Sequence, residues 1–382
     1  MVKFVHTADW QRGMTRWFLD DDAQPRFDAD RVQAIRTIGQ VARDHDAQFV
    51  VVAGDVFEHN QLGPRVVGRA IEALREIDVP VFLLPGNHDP LDPASILDSE
   101  EFGQRAGDHV TVLADATPVT VAPGVEVLGA PWRSKRPLTD LANDAAHAQE
   151  PAAGATRVLV AHGGTIQFSE STHDPAIIDH QRLETAVAEQ RVHYVALGDR
   201  HSTTRVGSTG RIWYAGAPEP TAYREDDAGN VLVVDCTPDA CHVESVPVGR
   251  WRFVHEAFDL TGPDDVSAFT EWLDAQQPKE RTVLRLALRG ALPLDVLDQV
   301  TQALDHAEEI FASVRVDPDD HDLVPAPDLE QFGEELSGFA RQAAQELIDA
   351  AQGTGSTEHD PAVAREALTL LYRMTHTQGE RA

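Results

Sequence analysis

Residues 81–89 read Val81-Phe82-Leu83-Leu84-Pro85-Gly86-Asn87-His88-Asp89. Four apolar residues in a row mark a buried strand, and Pro-Gly ends it. The polar trio Asn87-His88-Asp89 then falls just past the strand end. The same arrangement recurs along the chain. Phe49-Val-Val-Val-Ala53 runs into Gly54-Asp55-Val-Phe-Glu58, and Lys3–His6 runs into Thr-Ala-Asp9-Trp-Gln11. Val158–Ala161 leads to His162-Gly163, and Val192–Leu197 leads to Gly198-Asp199-Arg200-His201. Further strands are predicted at 110–113, 125–129, 212–215 and 231–235.

Helical stripes lie between the early strands. Val32, Ile35, Ile38, Val41 and Ala42 repeat at three and four residues over 30–45, and Val67, Ala70, Ile71 and Leu74 do so over 66–77. Strands alternating with helices imply parallel pairing, while the shorter later strands read as hairpins. The fold class is α/β, a layered sandwich. This main unit covers residues 1–250. Residues 251–316 restart the pattern as a small α/β unit. Residues 317–328, rich in Asp and Pro, read as a linker. Residues 329–382 carry two apolar helical stripes, one on Leu329, Phe332, Leu336, Phe339 and Ala343, the other on Val363, Ala367, Leu370, Leu371 and Met374.

The chain has 382 residues, too many for one ordinary core. It carries 32 basic and 63 acidic residues, a net charge of −31. That excludes indiscriminate coating of nucleic acid or of an anionic membrane, but not a local basic site. Roughly −17 of it falls after residue 254. Only Lys3, Lys135 and Lys279 are lysines, so the positive charge is almost all Arg. Two cysteines exclude a disulfide scaffold, and Cys236 and Cys241 are expected to be reduced thiols in a strand pair. No signal peptide and no run of about 18 apolar residues is present, which points to a cytoplasmic protein off the membrane.

Any one of the five strand-end motifs is a common turn. Five in order, each offering Asp, Asn, Gln or His where open α/β sheets bind ligands, make a site. Oxygen donors with some imidazole suit two divalent metals about 3.5–4 Å apart, which clamp a phosphoryl displacement. Asp55 is expected to bridge them. A hydroxide held between them would attack phosphorus, with His88 meeting the developing charge.

The motif order resembles that of the calcineurin-like metallophosphoesterases, and within them the SbcD-like DNA repair nucleases. Tyr214-Ala-Gly-Ala-Pro-Glu-Pro-Thr221 and Gly229-Asn-Val-Leu-Val-Val234 are similar to the closing strands of those nucleases. The resemblance implies an αββα sandwich, a capping domain at 251–316 and a helical partner-binding region at 329–382. It assigns Asp9, Asp55 and His201 to one metal, and Asp55, Asn87, His162 and Asp199 to the other. His88 becomes the phosphate-contacting catalytic residue, with Asp89 orienting it. Gln11 stands where the family has His, and Asp199 stands where the first His of Gly-His-x-His belongs. Both changes harden the donor set and favour Mn²⁺ or Mg²⁺ over Zn²⁺, with weaker binding beside Gln11.

Substrate contacts are expected from Arg133, Lys135 and Arg136, the densest basic cluster, with Trp132 as a stacking face. Arg12, Arg16, Arg200 and Arg205 lie near the motifs and are further phosphate candidates. The resemblance implies DNA as substrate, an SbcC-like ATPase docked on the C-terminal helices, and a homodimer. Two other readings stand beside it: a phosphodiesterase acting on a small nucleotide or phosphate ester, and a metal-binding scaffold subunit with weak catalysis.

Overall fold

The computed structural model describes residues 1–169, 174–326, 338–351, 363–364, 367–368 and 370–371. It forms two compact units, Met1–Phe253 and Val254–Ala382. The expectations placed on Leu329, Phe332, Leu336 and Met374 lie outside the described residues.

The first unit holds two six-stranded sheets. One contains β1 (Val2–Thr7), β2 (Val50–Val52), β3 (Val81–Leu83), β4 (Val110–Val112), β11 (Asn230–Cys236) and β12 (Cys241–Pro247), in the order β12-β11-β1-β2-β3-β4. The other contains β5 (Val119–Ala122), β6 (Val125–Ala130), β7 (Thr156–His162), β8 (Tyr194–Gly198), β9 (Thr204–Val206) and β10 (Ile212–Tyr214), in the order β5-β6-β7-β8-β10-β9. Strands β1 to β4 pair in parallel, as do β6, β7, β8 and β10. The expectation of hairpins for the later strands therefore holds only for β5–β6, β9–β10 and β11–β12.

Alternating side chains divide the apolar residues among three layers. Val5, Val50, Val52 and Leu83 face α1 (Ala23–Asp44) and α2 (Pro64–Arg75) through Ile35, Ile38, Ile71 and Leu74. Their neighbours Phe4, Val51, Ala53 and Phe82 face the second sheet through Val127, Val158, Val160 and Ala196. On the far side Leu128, Leu159 and Val195 pack on α4 (Leu141–Ala148) and α5 (His180–Ala188) through Ala142, Ala145 and Leu183. The result is a sandwich of helix, sheet, sheet and helix. Both parallel sets run the same way through their layers, so strand ends from both sheets supply the motif loops.

Three helices escaped the sequence reading: α3 (Glu100–Ala106), α4 and α5. Each is short and is started by a side-chain cap, from Ser99, Asp140 and Asp179. Cys236 and Cys241 correct another expectation. They lie directly opposite in the β11–β12 register and are joined as a disulfide.

In the second unit β13 (Arg252–Leu260), β14 (Thr282–Leu292) and β15 (Ser313–Val316) form a sheet with α6 (Pro263–Ala275) and α7 (Leu294–Ile310). Phe269, Leu284, Leu286 and Val300 are in its core. Residues 317–326 of the expected linker are part of this unit. Asp322–Pro325 is a strand, β16, paired in parallel with Arg289–Leu292 of β14. Asp317 is buried and pairs with Arg285 at 2.8 Å and His255 at 3.0 Å. The eleven-residue β14 offers more edge than β15 covers, and β16 takes the remainder. In α8 (Gly338–Ala351) the inward face is Ala344 and Ile348, packed on Leu368, while Phe339 is 86% exposed. No helix among the described residues is long and apolar enough to cross a membrane.

Candidate metal centre

The loops after β1, β2, β3, β7 and β8 converge. Asp9, Asp55 and His162 are all buried, and each offers a ligand atom within 4.8 Å of the others. His162 Nε2 lies 2.9 Å from Asn87 Oδ1, 3.5 Å from Asp55 Oδ1 and 3.8 Å from Asp199 Oδ1. Its Nδ1 donates to the Ala53 carbonyl at 2.9 Å, which turns Nε2 toward the carboxylates.

The backbone is bent to achieve this. Asp9, Gln11, Asp55 and Asp199 have φ of 54°, 41°, 54° and 99°, a left-handed region that non-glycine residues enter at a cost. Short bonds between motifs hold them there. Asp9 N donates to Gly54 O at 3.1 Å, Gln11 N to Asp55 O at 2.8 Å, and Asp199 N to Asp9 Oδ1 at 3.1 Å. The motif glycines are needed for contact rather than for turning alone. A Cβ on Gly54 would stand 2.2 Å from His162 Nδ1, and one on Gly198 would stand 1.9 Å from Ala53 O.

Burial pushes the Asp9 carboxyl up to about 6, with Asp55 and Asp199 adding to it against His201 and His162. Burial alone would lower His162, but Asp55, Asp9 and Asp199, with the Ala53 carbonyl, reverse this and raise it to about 9. The same surroundings favour a divalent cation in place of those protons. Gln11 adds a second sign: its Oε1 is buried and has no hydrogen-bond partner among the described residues. Such an acceptor is costly unless something binds it. The donor set therefore fits a metal.

His201 is oriented by residues the sequence reading missed. Its Nδ1 lies 2.8 Å from Glu225 Oε1 and 2.8 Å from Thr221 Oγ1. The carboxylate raises the His201 pKa against the opposing effect of burial. No local pattern marks Glu225, which reaches His201 only through the fold. Arg31 was missed as well: it is buried on α1 and donates to the Trp10 carbonyl.

His88 is partly exposed, with Nε2 4.0 Å from Asp55 Oδ2. Its Nδ1 donates to the Glu58 carbonyl at 2.9 Å. Asp89 does not orient it, contrary to expectation. The Asp89 carboxylate is buried and accepts from Gly86 N at 2.8 Å and Phe57 N at 3.0 Å, tying two motif loops together.

The basic candidates divide. Arg12 is fully buried and paired with Asp28 at 2.8 Å, so it cannot meet substrate. Trp132 is buried too, with Nε1 donating to the His162 carbonyl at 2.7 Å, and offers no stacking face. Both sit next to a motif, and the core took them. Arg16 is half-buried near Glu225 and Glu58. Arg133, Lys135, Arg136 and Arg205 are exposed, and Arg200 is half-buried beside Asp199. Arg133 donates to the Ala114 carbonyl at 2.6 Å.

The sequence pattern of the calcineurin-like phosphoesterases matches residues 2–234, more than half of the chain, and the chain belongs to that family of hydrolases. Among individual proteins it is 28% identical over 301 residues to the DNA double-strand break repair protein Mre11 of Haloferax volcanii, covering 76% of this chain and 62% of that one. A protein of the same name from Archaeoglobus fulgidus is 36% identical over 91 residues, 23% of this chain and 19% of that one. The chain thus spans less than two-thirds of either relative. The crystal structure of TT1561 from Thermus thermophilus aligns with 65% of this chain and 99% of its own at 11% identity, with a TM-score of 0.42.

Proposed function

We propose that this chain is an SbcD-like nuclease subunit that hydrolyses DNA phosphodiester bonds in repair, in the cytoplasm and together with an SbcC-like ATPase. The observation that carries this reading is the convergence of Asp9, Asp55 and His162, with His88 facing the same carboxylate. The kinship with proteins named for double-strand break repair supports DNA as the substrate.

Asp9, Gln11, Asp55 and His201 would hold one divalent metal, and Asp55, Asn87, His162 and Asp199 the other. The oxygen-rich set favours manganese, with magnesium next. Such ions, when bound, neutralise charge on a phosphoryl group and activate water. The chain's own residues do the remainder. The Glu58 carbonyl holds the Nδ1 proton and aims Nε2 at the site. As the imidazolium, with both nitrogens protonated, His88 donates from Nε2 to a phosphoryl oxygen as its charge grows. A donor placed this way contributes about 10²–10³ in rate. Asp89 keeps the Gly86 and Phe57 loops in register beneath it. Arg133, Lys135 and Arg136 form an exposed rim for the DNA backbone. Helix α8, with Phe339 exposed, is the docking element for the ATPase, and a dimer completes the assembly.

Linear and hairpin DNA assayed with Mn²⁺, with and without the ATPase, test the reading. His88→Ala should abolish cleavage and Gln11→His should retain or raise it. No cleavage in any combination would leave a scaffold role instead. Removal of residues after 328 should abolish ATPase binding while metal binding persists.

A further inference from the structure

A second cleft opens beside the donor cluster. Gly164, Thr165, Phe168, Asp199, Arg200 and Tyr214 line a cavity of ≈ 290 Å³. Asp199 belongs to both, since its Oδ1 is also 3.8 Å from His162 Nε2. The Arg200 guanidinium is held in one plane. Its Nε donates to Thr204 Oγ1 at 3.0 Å, and its central carbon lies 4.4 Å over the Phe168 ring. Its two terminal nitrogens have no hydrogen-bond or ion-pair partner among the described residues. A stacked guanidinium with both terminal nitrogens free is a ready fork for phosphate. Phe168, 40% exposed, leaves part of its ring uncovered.

We propose that this cleft is a subsite for the nucleotide next to the scissile bond. Arg200 takes the neighbouring phosphate on its terminal nitrogens, and the base lies against the Arg200–Phe168 pair. This rests on the phosphodiesterase reading and adds to it a requirement for a second phosphate. Substrates with one phosphate then fill only half of the site.

The thymidine dinucleotides TpT, pTpT and TpTp, each with one scissile bond, provide the test in Mn²⁺. Wild type should prefer one of the phosphorylated pair over TpT in kcat/KM by roughly tenfold or more. Arg200→Gln should level the three substrates, and Arg200→Lys should keep part of the preference through charge alone. Phe168→Leu should weaken all three by lost stacking. Equal rates in wild type, or a preference that survives Arg200→Gln, would overturn the subsite. If wild type cleaves none of them, the phosphodiesterase reading fails, and calorimetric binding of the same three probes decides the cleft on its own. The same preference in Kd, lost in Arg200→Gln, supports it, and equal Kd values overturn it.

Discussion

A Cβ placed on Gly86 would stand 2.2 Å from Oδ1 of Asp55. This glycine, three residues past the end of β3, thus sets the position of a carboxylate in another loop. Asp55 Oδ1 also accepts from His88 N at 3.0 Å, so the contact aligns three motif residues at once. Gly86→Ala should displace Asp55 and weaken metal affinity by about 10- to 100-fold, the usual effect of disturbing a ligand's support. Calorimetric titration with Mn²⁺ measures it, with circular dichroism to check the fold. Unchanged affinity would show that the loop yields.

Glu225 should act on the metal through His201. Glu225→Ala removes the acceptor at 2.8 Å from Nδ1 and frees the ring to turn. A loss of about tenfold or more in metal affinity is expected. Glu225→Gln, which keeps an acceptor, should recover part of it. Equal loss in both variants would mean that charge rather than orientation matters.

Asp89 and His88 should separate by phenotype. Burial pushes the Asp89 carboxyl up to about 7, with Asp55 adding to it against the Gly86 and Phe57 N–H groups. Asp89→Asn keeps one acceptor and sets an amide N–H against a backbone N–H. It should cost about 1–3 kcal/mol of stability. His88→Gln should leave the melting temperature unchanged and abolish turnover. A melting temperature lowered by His88→Gln, or left alone by Asp89→Asn, would reverse these roles.

A buried ion pair anchors the start of the second sheet. Arg157 pairs with Glu126 at 2.8 Å and also donates to the carbonyls of Gln149 and Glu150. Glu126→Ala strands a buried guanidinium, and a loss of about 3–5 kcal/mol is expected in urea unfolding. Replacing both residues together should cost less than Glu126→Ala alone.

Glu219 should make stability depend on pH. Burial pushes its carboxyl up to about 7, opposed by the N–H groups of Arg250 and Trp251 that it accepts. The folded protein holds this proton more tightly than the unfolded chain, where the ordinary value is 4.5. Its stabilising contribution is complete below pH 4.5 and is lost as pH rises through 7. The span is on the order of 3 kcal/mol. Glu219→Gln should flatten that part of the stability curve, as read from melting temperatures across the window. A slope equal to that of wild type would show that Glu219 does not carry it.

Much of the fold was legible because strand signals are local. Val50, Val51 and Val52 read as a buried strand from their own composition, and the structure buries all three. The short strand Asp322–Pro325 was not legible, since it exists by pairing with Arg289–Leu292, more than 30 residues away. Helix α4 was hidden because its inward face is alanine, which carries little apolar contrast.

The site divides in the same way. Sequence alone determined which residue types stand at the ends of β1, β2, β3, β7 and β8, because a strand end and its turn are encoded within about ten neighbouring residues. It could not decide which of them are free to act. Arg12 and Arg200 both follow a candidate ligand, yet Asp28 claims one and, among the described residues, no carboxylate claims the other. Trp132 turned inward to His162, and Glu225 reached His201 across 24 residues of chain. Burial, pairing and orientation depend on what distant segments bring alongside, and only the packed sandwich supplies those neighbours.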